Sequence, residues 1–211
     1  MNKAFSKDKW KYLFYTISHP MDGYYWIRHD ESKGSVGIAI VMTVVFSLCF
    51  TMNRLLASFV VNDNDPRGID SFYELLGVLA FYLLICVSNW SVTCLMNGEG
   101  RLKDIAIAVG YATVPISLML IVGTVISAFI ADEEQAFYVI VIAVGIAYGL
   151  IMMLMGIMQV HNYTLGKTLV TLLLTLVAML IIIFLLILLS NLLGAVMNFF
   201  KSVYTEIIFK G

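Results

Sequence analysis

The sequence predicts an all-α integral membrane protein, a bundle of five transmembrane helices preceded by an interfacial amphipathic helix. The chain has 211 residues, of which 61% are hydrophobic and 13% are charged, whereas a soluble domain carries about 25% charged residues. Five apolar segments, each of about 18 residues or more and so long enough to cross a bilayer, alternate with short polar turns. Their apolar runs are continuous rather than alternating, which favours helices over a β-barrel.

The first segment, residues 1–35, precedes every apolar span and is basic and aromatic. Four lysines lie near its start: Lys3, Lys7, Lys9 and Lys11. Four apolar side chains recur at helical spacing: Trp10, Leu13, Phe14 and Ile17. Such a helix suits the membrane interface, but packing on the rest of the protein is an equally open interpretation. Pro20 is expected to end this helix, and Gly23 to allow a turn.

The transmembrane domain is predicted over residues 36–193, followed by a short extracytoplasmic tail over residues 194–211. The five spans are expected at about 36–61, 72–96, 105–131, 136–160 and 168–193. Asn53 and Arg54 interrupt the far end of the first span, which is therefore expected to stop near Met52. In the turn between the second and third spans, Gly98 and Gly100 are expected to supply a flexible corner. The turns are too short to hold a soluble domain, so the spans are expected to form one bundle.

The distribution of Lys and Arg residues predicts the orientation in the membrane. The amino-terminal segment and the turns after the second and fourth spans share one side and carry nine of these residues, whereas the other side carries four. The amino terminus is therefore predicted to be cytoplasmic and the carboxyl terminus extracytoplasmic, with the chain in the cell membrane.

The sequence contains no GxSxG, HExxH, Walker A or GxGxxG motif. Glu74 lies only at the rim of the second span and the later spans carry no charged residue inside, which argues against ion-coupled transport by this chain. A metal site could be drawn from His19, Asp22 and His161, but no pair has ligand spacing on one helix. We therefore predict no enzyme, no metal and no cofactor. The net charge of −1 argues against nucleic-acid binding.

One polar residue of the second span, Asn89, is predicted to bond across to the third span. Pro115 crowds the carbonyl of Tyr111 and frees it from the helix ladder, and a free carbonyl in lipid needs another partner. Asn89 and Tyr111 each lie six residues from the predicted ends of their helices, roughly 9 Å deep. We predict that the Asn89 amide reaches the carbonyl or side chain of Tyr111, the alternative being that it faces a wet vestibule.

Small residues recur in the third and fourth spans, Gly110 among them. Gly145 and Gly149 form a GxxxG pair, which allows two helices to approach closely. Packing within the chain is favoured over oligomerisation as the purpose of this pair.

Several motifs, in this order along the chain, resemble the Yip-domain family of small multispanning membrane proteins. They are Gly-Tyr-x-x-x-Pro at Gly110, Tyr111 and Pro115, HPMDG at 19–23, NWSVTCLMNGEGRLKD at 89–104 and HNYTLGKT at 161–168. The likeness covers nearly the whole chain and is closer to the bacterial branch. Eukaryotic members are named for interacting with Rab-type GTPases, but their long polar amino-terminal region and Asp-Leu-Tyr-Gly-Pro element are missing here, which argues against Rab binding. The resemblance implies a membrane protein without enzymatic activity and with an organising, trafficking- or transport-associated role.

All three matching polar segments fall on the predicted cytoplasmic side, so we expect a functional surface there. Its candidate residues are His19, Pro20, Asp22, Gly23, Gly98, Glu99, Gly100, Lys103, Asp104, His161, Tyr163, Gly166 and Lys167. The favoured function is a scaffold or adaptor that sits in the lipid bilayer and binds another membrane or cytoplasmic protein through these turns. The alternative is a permease-type subunit of a transporter energised by a separate ATPase. An intramembrane enzyme is disfavoured, because no nucleophile–base pair is evident.

Overall fold

The computed structural model describes residues 6–30, 32–62 and 64–210, so Lys3 lies outside the described residues. Within these ranges the chain forms α-helices, two short 3₁₀ turns and no strand. The seven helices are α1 (Lys7–Ser18), α2 (Pro20–His29), α3 (Val36–Leu56), α4 (Ser71–Leu95), α5 (Leu102–Ser127), α6 (Gln135–His161) and α7 (Leu165–Lys210). Helices α3 to α7 are long and apolar enough to cross a membrane. The predicted all-α membrane bundle is therefore confirmed.

Two helices, rather than one, precede the first span. Ser6 caps α1 by accepting a hydrogen bond from the Asp8 amide, and Pro20 occupies the first turn of α2, where its missing N–H costs nothing. The prediction that Pro20 ends the first helix is confirmed, but the turn expected at Gly23 is wrong. Gly23 lies inside α2, where an added Cβ would lie 2.7 Å from the Cα of Thr16. Its role is to let α1 and α2 cross closely.

The apolar stripe of α1 is rotated from the one expected. Leu13 and Thr16 are fully buried, whereas Phe14 is 64% exposed. Helix α1 packs against α2 and α5, so the structure supports packing on the protein itself. Phe14 on α1 and the neighbouring pair Tyr25 and Trp26 on α2 are nevertheless exposed, and side chains of this kind suit the headgroup layer of a membrane.

Helix α5 lies at the centre of the bundle and packs most extensively against α3 and α6. Glycines make these close approaches possible. An added Cβ at Gly110 would lie 2.7 Å from the Cβ of Ala39 on α3, and one at Gly145 would lie 2.5 Å from the Cβ of Met119 on α5. One at Gly149 would lie 2.9 Å from the carbonyl oxygen of Ala112, also on α5. The predicted use of the GxxxG pair for packing within the chain is confirmed.

Helix α7 runs for 46 residues without a break at residue 193, so residues 194–210 continue the last span as a helix. At 1.5 Å per residue it is roughly 70 Å long, more than twice the ~30 Å hydrocarbon thickness of a bilayer. Its first half packs on α4, and Thr168, Thr171 and Thr175 are buried there. Beyond Ile182 every side chain described is exposed.

Candidate interaction site at one end of the bundle

The turn between α4 and α5 takes its sharp corner at an asparagine rather than a glycine. Asn97 has φ 54°, and Asn162, which ends α6, has φ 55°. Asparagine tolerates this left-handed conformation better than other non-glycine residues. Gly98 and Gly100 do not have positive φ angles, so the expectation that they supply the flexible corner is wrong. Small residues are needed at both positions because His161 packs against them.

His161 lies at the centre of this end of the bundle and is 1% exposed. Its Nδ1 atom accepts a hydrogen bond from the Gly100 amide at 3.1 Å, so the neutral ring carries its proton on Nε2. A Cβ added to Gly98 would lie 2.6 Å from the Nδ1 atom of His161, and one added to Gly100 would lie 2.7 Å from its Cε1 atom. The two glycines therefore make room for the imidazole ring.

Tyr163 fastens the turn after α6 to the end of α4. Its hydroxyl donates to the carbonyl of Met96 at 3.1 Å, and its ring stacks on His161 with centroids 5.3 Å apart. The ammonium of Lys167 lies 4.0 Å from the centre of the same ring, a cation–π contact. A tyrosine hydroxyl is a hydrogen-bond donor at neutral pH, and burial raises the pKa of Tyr163 further.

Arg28 connects α2 to both turns, and sequence reasoning missed it. Its guanidinium forms an ion pair with Glu99 and donates to the Val160 carbonyl at 2.9 Å. Asp104, predicted as part of an open surface, is instead only 2% exposed and pairs with Arg101 at 2.9 Å across the first turn of α5. No local pattern marks Arg28, because its partners lie 71 and 132 residues away.

The segment from His19 to Gly23 lies outside this cluster but close to it. The carbonyl of Ile17 accepts a 2.5 Å hydrogen bond from Tyr148 on α6, and the amide of Gln159, two residues before His161 on the same helix, donates to the Met21 sulfur at 3.6 Å. His19 is exposed and stacks on Tyr15 at 4.8 Å, and Pro20 and Gly23 serve the crossing of α1 and α2. The candidate residues therefore form the cluster around His161 and a neighbouring group at the crossing of α1 and α2. Among the residues that the structure describes, no three His, Cys, Asp or Glu side chains come close enough to hold a metal ion.

Around the buried histidine cluster, this end of the bundle presents an exposed polar rim, which we call the loop face. It consists of Asn97, Glu99, Arg101, Lys103, Asn162 and Gly166, all of them exposed. The turn after α4 is held by the bonds of His161 to the Gly100 amide and of Tyr163 to the Met96 carbonyl, and by the ion pair of Arg28 with Glu99. The arrangement is therefore a charged, solvent-accessible rim on a fixed base, which suits recognition of another molecule more than chemistry at a closed site.

A family model of the Yip1 domain matches residues 14–189, which is most of the chain. The chain belongs to the Yip1-domain family. No curated protein and no solved structure matches it significantly. Family membership and the five long apolar helices together identify a multi-pass membrane protein, and a trafficking-associated role is consistent with the family. Its assignment to the bacterial branch of the Yip1-domain family stays a prediction.

The opposite end of this Yip1-domain bundle carries a polar network that the sequence did not reveal. Arg54 on α3 forms an ion pair with Glu74 on α4. Beside it, the Asn53 amide donates to Thr124 on α5 at 2.8 Å and accepts from the Tyr138 hydroxyl on α6 at 2.9 Å. In the sequence, the only sign of this network is that Asn53 and Arg54 interrupt the far end of the first apolar span. The network joins four of the five long helices.

The predicted bond from Asn89 to Tyr111 is wrong. The Asn89 amide donates instead to Thr175 on α7 at 3.0 Å. The residue of α4 that reaches α5 is Tyr82, whose hydroxyl donates to the Ala106 carbonyl at 2.8 Å. Tyr82 lies more than three turns from the end of α4, whereas Ala106 lies about one turn from the start of α5. Helices α4 and α5 are therefore offset along the bundle, whereas the predicted bond requires them to be level.

Proposed function

We propose that this Yip1-domain protein is a non-enzymatic scaffold or adaptor of the cell membrane. It presents the loop face on the cytoplasmic side to another membrane or cytoplasmic protein. The observation that carries this proposal is the buried cluster around His161, which ties α2 and two separate turns together. A recognition surface that is already ordered loses less conformational entropy when a partner binds.

The chemistry of the loop face suits protein recognition. Glu99, Arg101 and Lys103 bring charges of both signs within a few residues, and Leu102 between them is 41% exposed. Mixed charges around an exposed apolar side chain favour specific orientation of a partner over general attraction to an anionic surface. A non-enzymatic role is supported by the state of His161, whose Nδ1 is engaged by Gly100 and whose ring is closed to solvent.

Site-specific photocrosslinking in native membranes tests this proposal. A photoreactive side chain replaces Glu99 or Gly166 on the loop face, and Glu133, in the acidic turn before α6, serves as the matched exposed control. We expect the same protein adduct from both loop-face positions and none from Glu133, and we expect Lys103→Glu to reduce the adduct. An adduct from Glu133 alone, or adducts that Lys103→Glu leaves unchanged, would contradict the proposal.

The same experiment separates the scaffold from the permease alternative. If the adduct partner is an ATPase that co-purifies with the chain in fixed stoichiometry, the permease-type subunit is favoured. Solute flux through liposomes that contain only this chain would rule out a purely scaffolding role. A partner without ATPase activity, together with liposomes that remain tight, supports the scaffold.

A further inference from the structure

A cavity of about 400 Å³ lies within the bundle, and all five long helices line it. Its walls are almost entirely apolar, and none of the residues that line it is charged. The volume falls within the range of about 300–1,000 Å³ that is usual for small-molecule sites. This cavity lies inside the helical spans and is separate from the loop face.

The cavity opens sideways, toward the surroundings of the bundle. Several of its lining side chains are large, apolar and exposed: Phe81, Ile146, Leu150 and Leu176. Others, such as Asn89 and Ile157, are fully buried and form its inner wall. Helix α7 packs on α4 and makes much less contact with α6. Because the opening is rimmed by apolar side chains within the spans, it faces lipid rather than water.

The polar groups of the cavity offer hydrogen-bond acceptors. Four hydroxyls on its wall each donate to a backbone carbonyl: Thr43 to Ala39, Tyr82 to Ala106, Thr113 to Gly110 and Thr175 to Thr171. The hydroxyl proton of Thr175 is thus engaged, so Asn89 must turn its NH₂ group toward that oxygen. The other amide atom, Asn89 Oδ1, is buried and has no hydrogen-bond partner among the described residues.

We propose that this cavity binds a neutral lipid that has one long hydrocarbon chain and a hydroxyl group donating to Asn89 Oδ1. The apolar walls accept the chain, and the free acceptor calls for a donor. The ligand is neutral because no charged side chain of the cavity could compensate an ionic headgroup. Asn89 lies roughly 9 Å from the end of α4, a depth that a small hydroxyl reaches and a bulky headgroup does not.

Competition between two matched probes tests the proposal on the full chain, reconstituted in phosphatidylcholine vesicles. A diazirine-bearing long-chain alcohol is photocrosslinked to the protein, and hexadecanol or its methyl ether is added as competitor. The ether keeps the chain but lacks the donor. A single intramembrane hydrogen bond corresponds to about a 3- to 20-fold difference in affinity. On the parent, we expect hexadecanol to compete about 3- to 20-fold better than its methyl ether. On Asn89→Leu, we expect the two competitors to act equally.

Two tryptophan variants of α6 locate the site without touching Asn89. Leu150→Trp fills the rim of the cavity, whereas Ile151→Trp is the control, since Ile151 is similarly exposed but does not line the cavity. We expect labelling to be lost in the first and kept in the second. Equal potency of alcohol and ether on the parent would mean that the cavity accepts any hydrocarbon chain, and would overturn the proposal. So would labelling that Leu150→Trp leaves intact, even if Asn89→Leu fails to fold.

Discussion

His161 shows how a single buried side chain can hold a turn in place. Its Nδ1 atom is the acceptor for the partly buried Gly100 amide, and a hydrogen bond of this kind contributes about 0.5–1.5 kcal/mol. We predict that His161→Phe lowers the thermal stability of the purified protein in detergent by an amount of this size, although the ring and its stacking on Tyr163 are kept.

The control for this prediction is His161→Asn, which loses the ring but places an amide oxygen near the position of Nδ1. Fluorescence-detected thermal unfolding of the two variants is the measurement. We expect the asparagine variant to be more stable than the phenylalanine variant. The reverse order would mean that ring packing, and not the hydrogen bond to Gly100, holds this end of the bundle.

Contacts between individual side chains were the hardest feature to predict from the sequence. His161, Gly98 and Gly100 could be selected as candidates, because they lie in polar turns between apolar spans. Their mutual packing could not be foreseen, since Gly100 and His161 are 61 residues apart. Arg28 was counted only as one of many basic residues. Side chains that pair over such separations leave no periodic signal in a single sequence.

At the scale of helices, the contact of α5 with α6 depends on small residues. An added Cβ at Gly149 would lie 2.6 Å from the Cγ1 atom of Ile116 and 2.9 Å from the Ala112 carbonyl oxygen. Backbone cannot move aside as a flexible side chain can, so the helices must separate. We predict that Gly149→Ala destabilises the protein by about 1–3 kcal/mol, as overpacking does in cores, measured by thermal unfolding in detergent.

The matched control is Gly77→Ala in α4, where an added Cβ meets nothing within 4 Å. This variant should be as stable as the parent or slightly more so, because alanine favours the helix over glycine. If Gly149→Ala also leaves stability unchanged, the contact of α5 with α6 tolerates the added methyl group and does not require a glycine at this position.

The ion pair of Arg54 and Glu74 joins α3 to α4 at the end away from the loop face. Both side chains are partly buried, at 34% and 13% exposure, and Thr51 also donates to Glu74 at 2.5 Å. Hydrogen bonds to a charged group contribute about 1.5–3 kcal/mol. We predict a loss of this size in Glu74→Gln, measured by unfolding in detergent.

Removing both charges should cost less than the two single changes combined, because no charge is then left without its partner. A double-mutant cycle with Arg54→Met and Glu74→Gln measures this coupling. Coupling close to zero would show that the two groups are held by other contacts, such as the bond from Arg54 to Asn64 at 3.0 Å.

The helices themselves were largely predictable, because each span is a continuous apolar run between polar turns. The predicted contact between α4 and α5 through Asn89 was wrong. Asn89 and Tyr111 would lie at the same depth only if α4 and α5 were level, whereas the bond from Tyr82 to Ala106 shows that the two helices are offset. The helical continuation beyond residue 193 was also missed, because Gly194 is a common helix stop, although no proline follows it.

For the whole molecule, the question that matters to the proposed function is which end of the bundle faces the cytoplasm. The structure adds to the charge argument by joining the basic amino-terminal helices to the loop face through Arg28 and Glu99. The side that carries most Lys and Arg residues is thus one physical surface. By the positive-inside rule we predict that this surface is cytoplasmic and that the acidic turn at 132–134 is outside.

Single cysteines test this orientation in a variant that lacks Cys49, Cys86 and Cys94. Asn162 and Glu134 are suitable positions, because both are exposed and lie at opposite ends of α6; Tyr163 is unsuitable because it is buried and supports the Met96 turn. We predict that an impermeant thiol reagent labels the cysteine at 134 in intact cells. The cysteine at 162 should react only after the membrane is permeabilised, which also controls for its accessibility. Labelling in the opposite pattern would place the loop face outside the cell and, with it, exclude a cytoplasmic partner.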